Sequence, residues 1–189
     1  MTTWTLPESL EVGGSDFAIR TDYRDILQIL RAYNDPNLPG WAKTKVLLTI
    51  MYIDIDTIPE DLMQEAADKA IDFIDMGIHA EDGPRVMDWD QDAAIIIPAI
   101  NKVAGREVRA EKYLHWWTFL GYYMEIGDSL FSQVISIRDK KAHGKKLEKW
   151  EKEFEQQNKD LVRLKVKQTD EEEAREKAER DALNELVGD

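Results

Sequence analysis

The sequence predicts a mainly α protein: a multi-helix, bundle-like domain with a small N-terminal β-hairpin and a C-terminal extended charged helix. Three observations predict it. Apolar residues recur at three- and four-residue spacing in successive segments as far as Ile137, the period of one helix face. Ahead of them, Leu10 and Val12 alternate with polar neighbours, Gly13-Gly14 supplies a turn, and Phe17 and Ile19 resume the pattern. Beyond Gly144 there is no proline and no glycine until Gly188, and Glu, Lys, Gln, Arg and Ala dominate.

The chain of 189 residues is long enough to bury one sizeable core. It contains no cysteine, which excludes disulfides and thiolate metal sites and fits a reducing compartment. The first residues have neither a basic stretch nor an apolar run, so no signal peptide is expected. Apolar runs such as residues 93–97 are far too short to span a bilayer, so no membrane partner is expected. Formal net charge is −13, and it is unevenly spread. Up to Asp139 there are 12 Lys and Arg against 24 Asp and Glu, whereas from Lys140 onward there are 13 against 14. An acidic body repels phosphate backbones, so no nucleic acid is expected and a protein or basic peptide suits the field better.

The hairpin is expected to pack on the helices, because an isolated one is marginal in water. Thr21 is placed to cap the first helix, whose apolar face is Tyr23, Ile26, Leu27, Leu30 and Tyr33. Pro36 ends it. A second helix, residues 41–51, turns Leu47, Leu48, Met51 and Tyr52 inward. Asp54 and Asp56 read as a polar loop, and Pro59 suits the first turn of the next helix. Met63, Ala66, Ala67, Ala70, Ile71, Phe73 and Ile74 form that helix's buried side, and Gly77 stops it. His79, Glu81 and Asp82 lie in an exposed loop; with no second histidine at ligand spacing they make no convincing metal site. Asp88, Asp90 and Asp92 match the first three ligand positions of a helix–loop–helix calcium site. The positions that should hold glycine and glutamate hold Ala93 and Ala99, so Asp88 reads instead as a helix N-cap. The helix after it packs through Trp89, Ala93, Ile96, Ile97 and Ile100, with Pro98 inside it as an expected kink.

Residues 111–140 form the most distinctive stretch. A helix beginning near Arg109 or Ala110 is expected to carry Tyr113, Trp117, Leu120 and Met124 on one stripe and Trp116 and Tyr123 on another. So wide an apolar surface marks a core axis. Without interleaved Arg and Lys, base stacking is disfavoured. A further helix, started by Asp128 or Ser129, buries Leu130, Phe131, Val134, Ile135 and Ile137. Arg138 then opens a basic run, and the domain boundary is placed between residues 143 and 144. The tail, residues 144–189, carries Leu147, Trp150, Phe154, Leu161 and Leu164 in a heptad rhythm. This stripe needs burial, by folding back, by pairing with another copy or by receiving a partner. The charged segment after Asp170 is either a solvated helix or a segment that folds on binding.

No phosphate-binding loop, dinucleotide fingerprint, zinc-protease helix or serine-nucleophile elbow is present. The three histidines, His79, His115 and His143, are scattered. His115 is the one candidate general base, and a place on the central helix's polar side is the simpler assignment. Catalytic residues, cofactors and metal ions are therefore not expected.

In combination, several segments resemble the bacteriophage Gp15 protein family. They are Leu6-Pro7-Glu8-Ser9, Ile19-Arg20-Thr21-Asp22-Tyr23-Arg24 and Ile58-Pro59-Glu60-Asp61-Leu62. The more specific ones are Asp88-Trp89-Asp90-Gln91-Asp92-Ala93 and Tyr113-Leu114-His115-Trp116-Trp117, with Phe119 two residues on. The resemblance spans about residues 7–146 and extends loosely to Leu164; the segment after Asp170 departs from it. It implies a non-enzymatic tail assembly chaperone of phages with long, non-contractile tails. Such a protein would coat the tape-measure protein, recruit tail-tube (major tail) subunits, and work as a homo-oligomer or partner-bound multimer. It would act in the host cytoplasm and be absent from the mature virion. A structural tail or connector subunit, a regulatory module or an enzyme of unrecognised chemistry are the alternatives.

Overall fold

The computed structural model describes residues 4–78 and 83–165. Strands β1 (Ser9–Val12) and β2 (Ser15–Ala18) form an antiparallel hairpin in which Leu10 faces Phe17 and Val12 faces Ser15. Gly13 and Gly14 make the turn with φ of 57° and 79°, a left-handed pair that glycine adopts without strain. Leu10 and Val12 are fully buried, and β1 lies against α3 (Met63–Ile74).

Two helical groups build the core. The first is α1 (Tyr23–Tyr33), α2 (Gly40–Met51) and α3 with the hairpin. The second is α4 (Ala93–Ala104), α5 (Trp116–Met124) and α6 (Leu130–Ala142), continued by α7 (Lys149–Gln157) and α8 (Lys159–Val162). They meet where α1 packs on α5, with Tyr23 stacked on Phe119 at 4.3 Å between ring centroids and 8° between planes. The mainly α architecture with an N-terminal hairpin is therefore as expected. Among the described residues no helix is long and apolar enough to cross a membrane.

Several local expectations are corrected. Asp22, not Thr21, caps α1: its Oδ1 accepts from Arg24 N at 3.0 Å, which leaves the Thr21 hydroxyl bonded to Tyr113 Oη at 2.7 Å. The central helix begins at Trp116, six residues later than its apolar pattern suggests. Residues 108–110 form a 3-10 turn, and His115 pairs with Asp22 as an antiparallel bridge. That pairing takes the backbone groups an earlier helical turn would need. Tyr113 is consequently outside the helix and 54% exposed. Tyr33, Ile71 and Leu130, expected on buried faces, are more than a third exposed, whereas Ile29 on α1 and Ile95 on α4, not among the expected core residues, are buried. Pro98 sits inside α4 without ending it; Pro98 and Ala94, the residue whose carbonyl loses its donor, are both exposed.

The single heptad helix expected after Gly144 is two pieces that break at Asn158, whose φ of −127° is not helical. Phe154 and Leu161 pack against the core and Val162 is buried, while Trp150 is half exposed. The expected loop at His79, Glu81 and Asp82 and the charged segment after Asp170 lie outside the described residues.

Candidate functional site

The two signature segments form two polar devices. The first is a latch at residues 113–119, where every named side chain is engaged. Leu114 N donates to Asp22 Oδ2 at 3.0 Å, and Leu114 O accepts from Tyr23 N at 3.0 Å. His115 Nδ1 accepts from Trp117 N at 3.0 Å, capping α5, so Nε2 carries the proton and donates to Pro7 O at 3.0 Å. Both ring nitrogens are thus engaged in structural hydrogen bonds. Trp116 Nε1 donates to Ile74 O and Trp117 Nε1 to Phe73 O, each at 2.8 Å. These carbonyls end α3, where intrahelical donors have run out, so the two indoles cap that helix from outside. Phe119 is fully buried.

The second device is a clasp around Asp88, Gln91 and Asp92. Asp88 Oδ1 accepts from Asp90 N at 2.9 Å and Gln91 N at 2.8 Å, and Arg85 pairs with Oδ2. The expected cap exists, but it closes the turn before α4; the helix starts after Asp92. Asp92, almost wholly buried, folds back to accept from Asp88 N at 2.9 Å through Oδ2. Its two oxygens also receive Arg138 Nη1 at 2.7 Å and Nη2 at 2.9 Å, a bidentate pair. Arg138 makes three more bonds, to Val86 O at 3.0 Å, Leu161 O at 2.8 Å and Val162 O at 2.9 Å, so all five of its donors are satisfied. The Gln91 amide donates to Arg163 O and accepts from Lys165 N, both at 2.8 Å.

Trp89 joins the devices. Its ring lies 6.2 Å from Trp116, 6.1 Å from Phe119 and 5.0 Å from Tyr123. Burial pushes the Tyr123 hydroxyl up from its ordinary range, and its Oη lies 3.0 Å from Met87 Sδ.

Of the five candidate partner-binding residues, Trp150 alone is exposed; Leu147, Phe154, Leu161 and Leu164 are half-buried. An open cavity of about 650 Å³ lies beside the clasp, lined by Arg85, Lys141, Glu155, Lys159, Asp160 and Arg163 among others. Lys140 Nζ and Glu148 N both donate to Glu151, and these bonds hold its carboxyl below the usual carboxylate range. Among the described residues no group of three or more His, Asp or Glu is placed to hold a metal ion.

The sequence pointed to Asp88, Trp89, Gln91 and Asp92 but not to their partner. Arg138 had a signal: it falls on the α6 stripe Phe131, Val134, Arg138, a charge at an apolar position. Val162 and Glu151, both buried, carried none.

Fold and site together define a mainly helical protein whose distinctive polar side chains are committed to holding its own chain together. The bacteriophage Gp15 protein family matches over residues 3–164, and the chain belongs to that family. The family indicates a bacteriophage structural or assembly protein. No curated protein and no solved structure matches the chain.

Proposed function

We propose that this phage protein is a non-enzymatic tail assembly chaperone. It binds the tape-measure protein, shields that protein's apolar helices, and helps recruit tail-tube subunits in the host cytoplasm. The observation that supports this reading is large apolar side chains left on the surface of a strongly acidic body. Trp41 is 72% exposed, Leu6 52% and Trp150 51%, on a chain of net charge −13. Exposed aromatic and aliphatic groups provide contact area for amphipathic helices, and net charge keeps the complex soluble. The engagement of His115, Asp88 and Asp92 in structural hydrogen bonds also favours binding over bond-making chemistry.

Co-expression with the tape-measure protein tests the proposal. The expected result is a higher soluble yield of tape-measure protein and a co-purifying multimer; no gain in yield and no complex would overturn it. Mass spectrometry of purified virions separates the chaperone from a retained tail or connector subunit. The chaperone is expected to be missing, and stoichiometric presence selects the structural role.

A further inference from the structure

The clasp holds the arm formed by α7 and α8 in a way that ignores the arm's side chains. Four hydrogen bonds join them: Arg138 to the carbonyls of Leu161 and Val162, and Gln91 to Arg163 O and Lys165 N. All four end on arm main chain. Phe154, Leu161 and Val162 supply the apolar anchors. Among the described residues the remaining ion pairs to the arm, Lys140–Glu151 and Lys141–Glu155, start from the last turn of α6, beside the hinge.

That hinge depends on Gly144. Its φ is 66°, Lys145 N donates to Lys140 O at 2.7 Å, and Gly144 N to Lys141 O at 3.1 Å. This is the left-handed stop that turns a chain off a helix end. Nothing lies within 4 Å of a Cβ built at Gly144, so backbone conformation alone disfavours another residue there. The residues that follow, Lys145, Lys146, Leu147 and Glu148, all tolerate helix well. With Gly144 in the right-handed region, α6 and α7 would run on as one helix of about 28 residues, roughly 40 Å. The arm would then lie far from its own clasp. An emptied clasp would leave the buried Arg138 without two of its acceptors.

We propose that the Gln91–Asp92–Arg138 clasp is a main-chain seat through which two copies of this chain exchange arms, each body holding residues 149–165 of its neighbour. The occupant is a second copy because its arm presents the same carbonyls, apolar anchors and acidic residues at the same spacing. Contacts within each seat are identical in the closed and exchanged forms, so concentration and hinge geometry decide between them. The proposal stands independently of tape-measure binding.

The absence of cysteine makes a clean test. In full-length chain, Lys141→Cys with Glu155→Cys, bridged by a short bis-maleimide, reports whose arm lies on which body. In this background Gly144→Ala is expected to tighten dimerisation by at least about ten-fold, given alanine's helix preference and its left-handed penalty. The bridge should move from within one chain to between two on a denaturing gel. Adding Gln91→Leu deletes two seat contacts at a half-buried position from the closed and exchanged forms alike, so both should give way to open chains with unseated arms, and bridge yield should fall within and between chains together. A Gly144→Ala chain that stays monomeric, or dimerises with the bridge still internal, overturns the proposal. Should that variant not fold, the parent double-cysteine chain decides: bridges between chains must rise with concentration, and purely internal bridging up to about millimolar chain refutes arm exchange.

Discussion

Arg138→Met is the most informative single change. It keeps the aliphatic stem and removes all five donated hydrogen bonds. Asp92, 1% exposed, would lose its guanidinium partner and keep the bond from Asp88 N. Breaking one side of a buried ion pair costs about 3–5 kcal/mol, mostly because the remaining charge is stranded. The carbonyls of Leu161 and Val162 lose their donor too, but rehydrate if the arm lifts. With a urea m-value of about 2 kcal/mol/M, the midpoint should fall by about 1.5–2.5 M. Amide exchange at Val162 and Arg163, whose N–H groups bond Asn158 O and Lys159 O, should accelerate by at least about a hundred-fold. The double change Arg138→Met with Asp92→Leu removes both charges and should cost less than Arg138→Met alone. A midpoint shift under about 0.5 M with an unchanged arm, or a double variant as unstable as the single one, would refute the stranded-charge reasoning.

Three further outcomes follow from the geometry. Trp116→Phe should cost about 1–3 kcal/mol in urea unfolding, and Trp117→Phe less. Phe73 O retains a bond from Met76 N at 3.2 Å, whereas the Ile74 carbonyl depends on the indole. Equal costs would show that the indoles act by packing alone. Gly13→Ala should be more damaging than Gly14→Ala. Both impose a left-handed penalty of about 1–2 kcal/mol, but a Cβ at Gly13 lies 2.3 Å from Leu62 Cδ1 while Gly14 faces open space. Thermal melts of the two variants measure the difference, and equal loss would exclude the Leu62 contact as its cause. The Glu151 carboxyl is lowered from its ordinary 4.5, so its contribution is full above that value and lost as pH falls through the lowered one. Urea midpoints from pH 6 to 3 should therefore fall more steeply for the parent than for Glu151→Gln, and parallel curves would rule the contribution out.

Helices were legible where local pattern and burial agree, as in α2, where Leu47, Met51 and Tyr52 are inside. Boundaries were less legible where long-range pairing competes with periodicity. The Trp117–Leu120–Met124 pattern extends back to Tyr113, yet a strand-like bridge from Asp22, 93 residues away in sequence, holds His115 and starts the helix at Trp116. The arm failed for a related reason: its heptad spacing described one surface, but Asn158 breaks the helix and Arg138 takes the carbonyls beyond it. The signature residues were visible as a set, but their roles were not. An aspartate cluster reads as calcium ligands or a cap until its arginine is located, and that arginine lies 46 residues away from Asp92.

The latch and the clasp work as one structure because Trp89 belongs to both. It follows Asp88 in the clasp, and its ring sits among Trp116, Phe119 and Tyr123. A continuous physical path therefore runs from Pro7 through His115 to α5, across Trp89 to Asp92, and through Arg138 to the arm. The family match ends at residue 164, within the segment that Gln91 and Arg138 hold. That coincidence has a mechanical sense: without residues 161–165, Arg138 would be a buried cation short of two acceptors. The same dependence makes the clasp a demanding seat, satisfied by a main chain and by little else, which is the property an exchangeable arm requires.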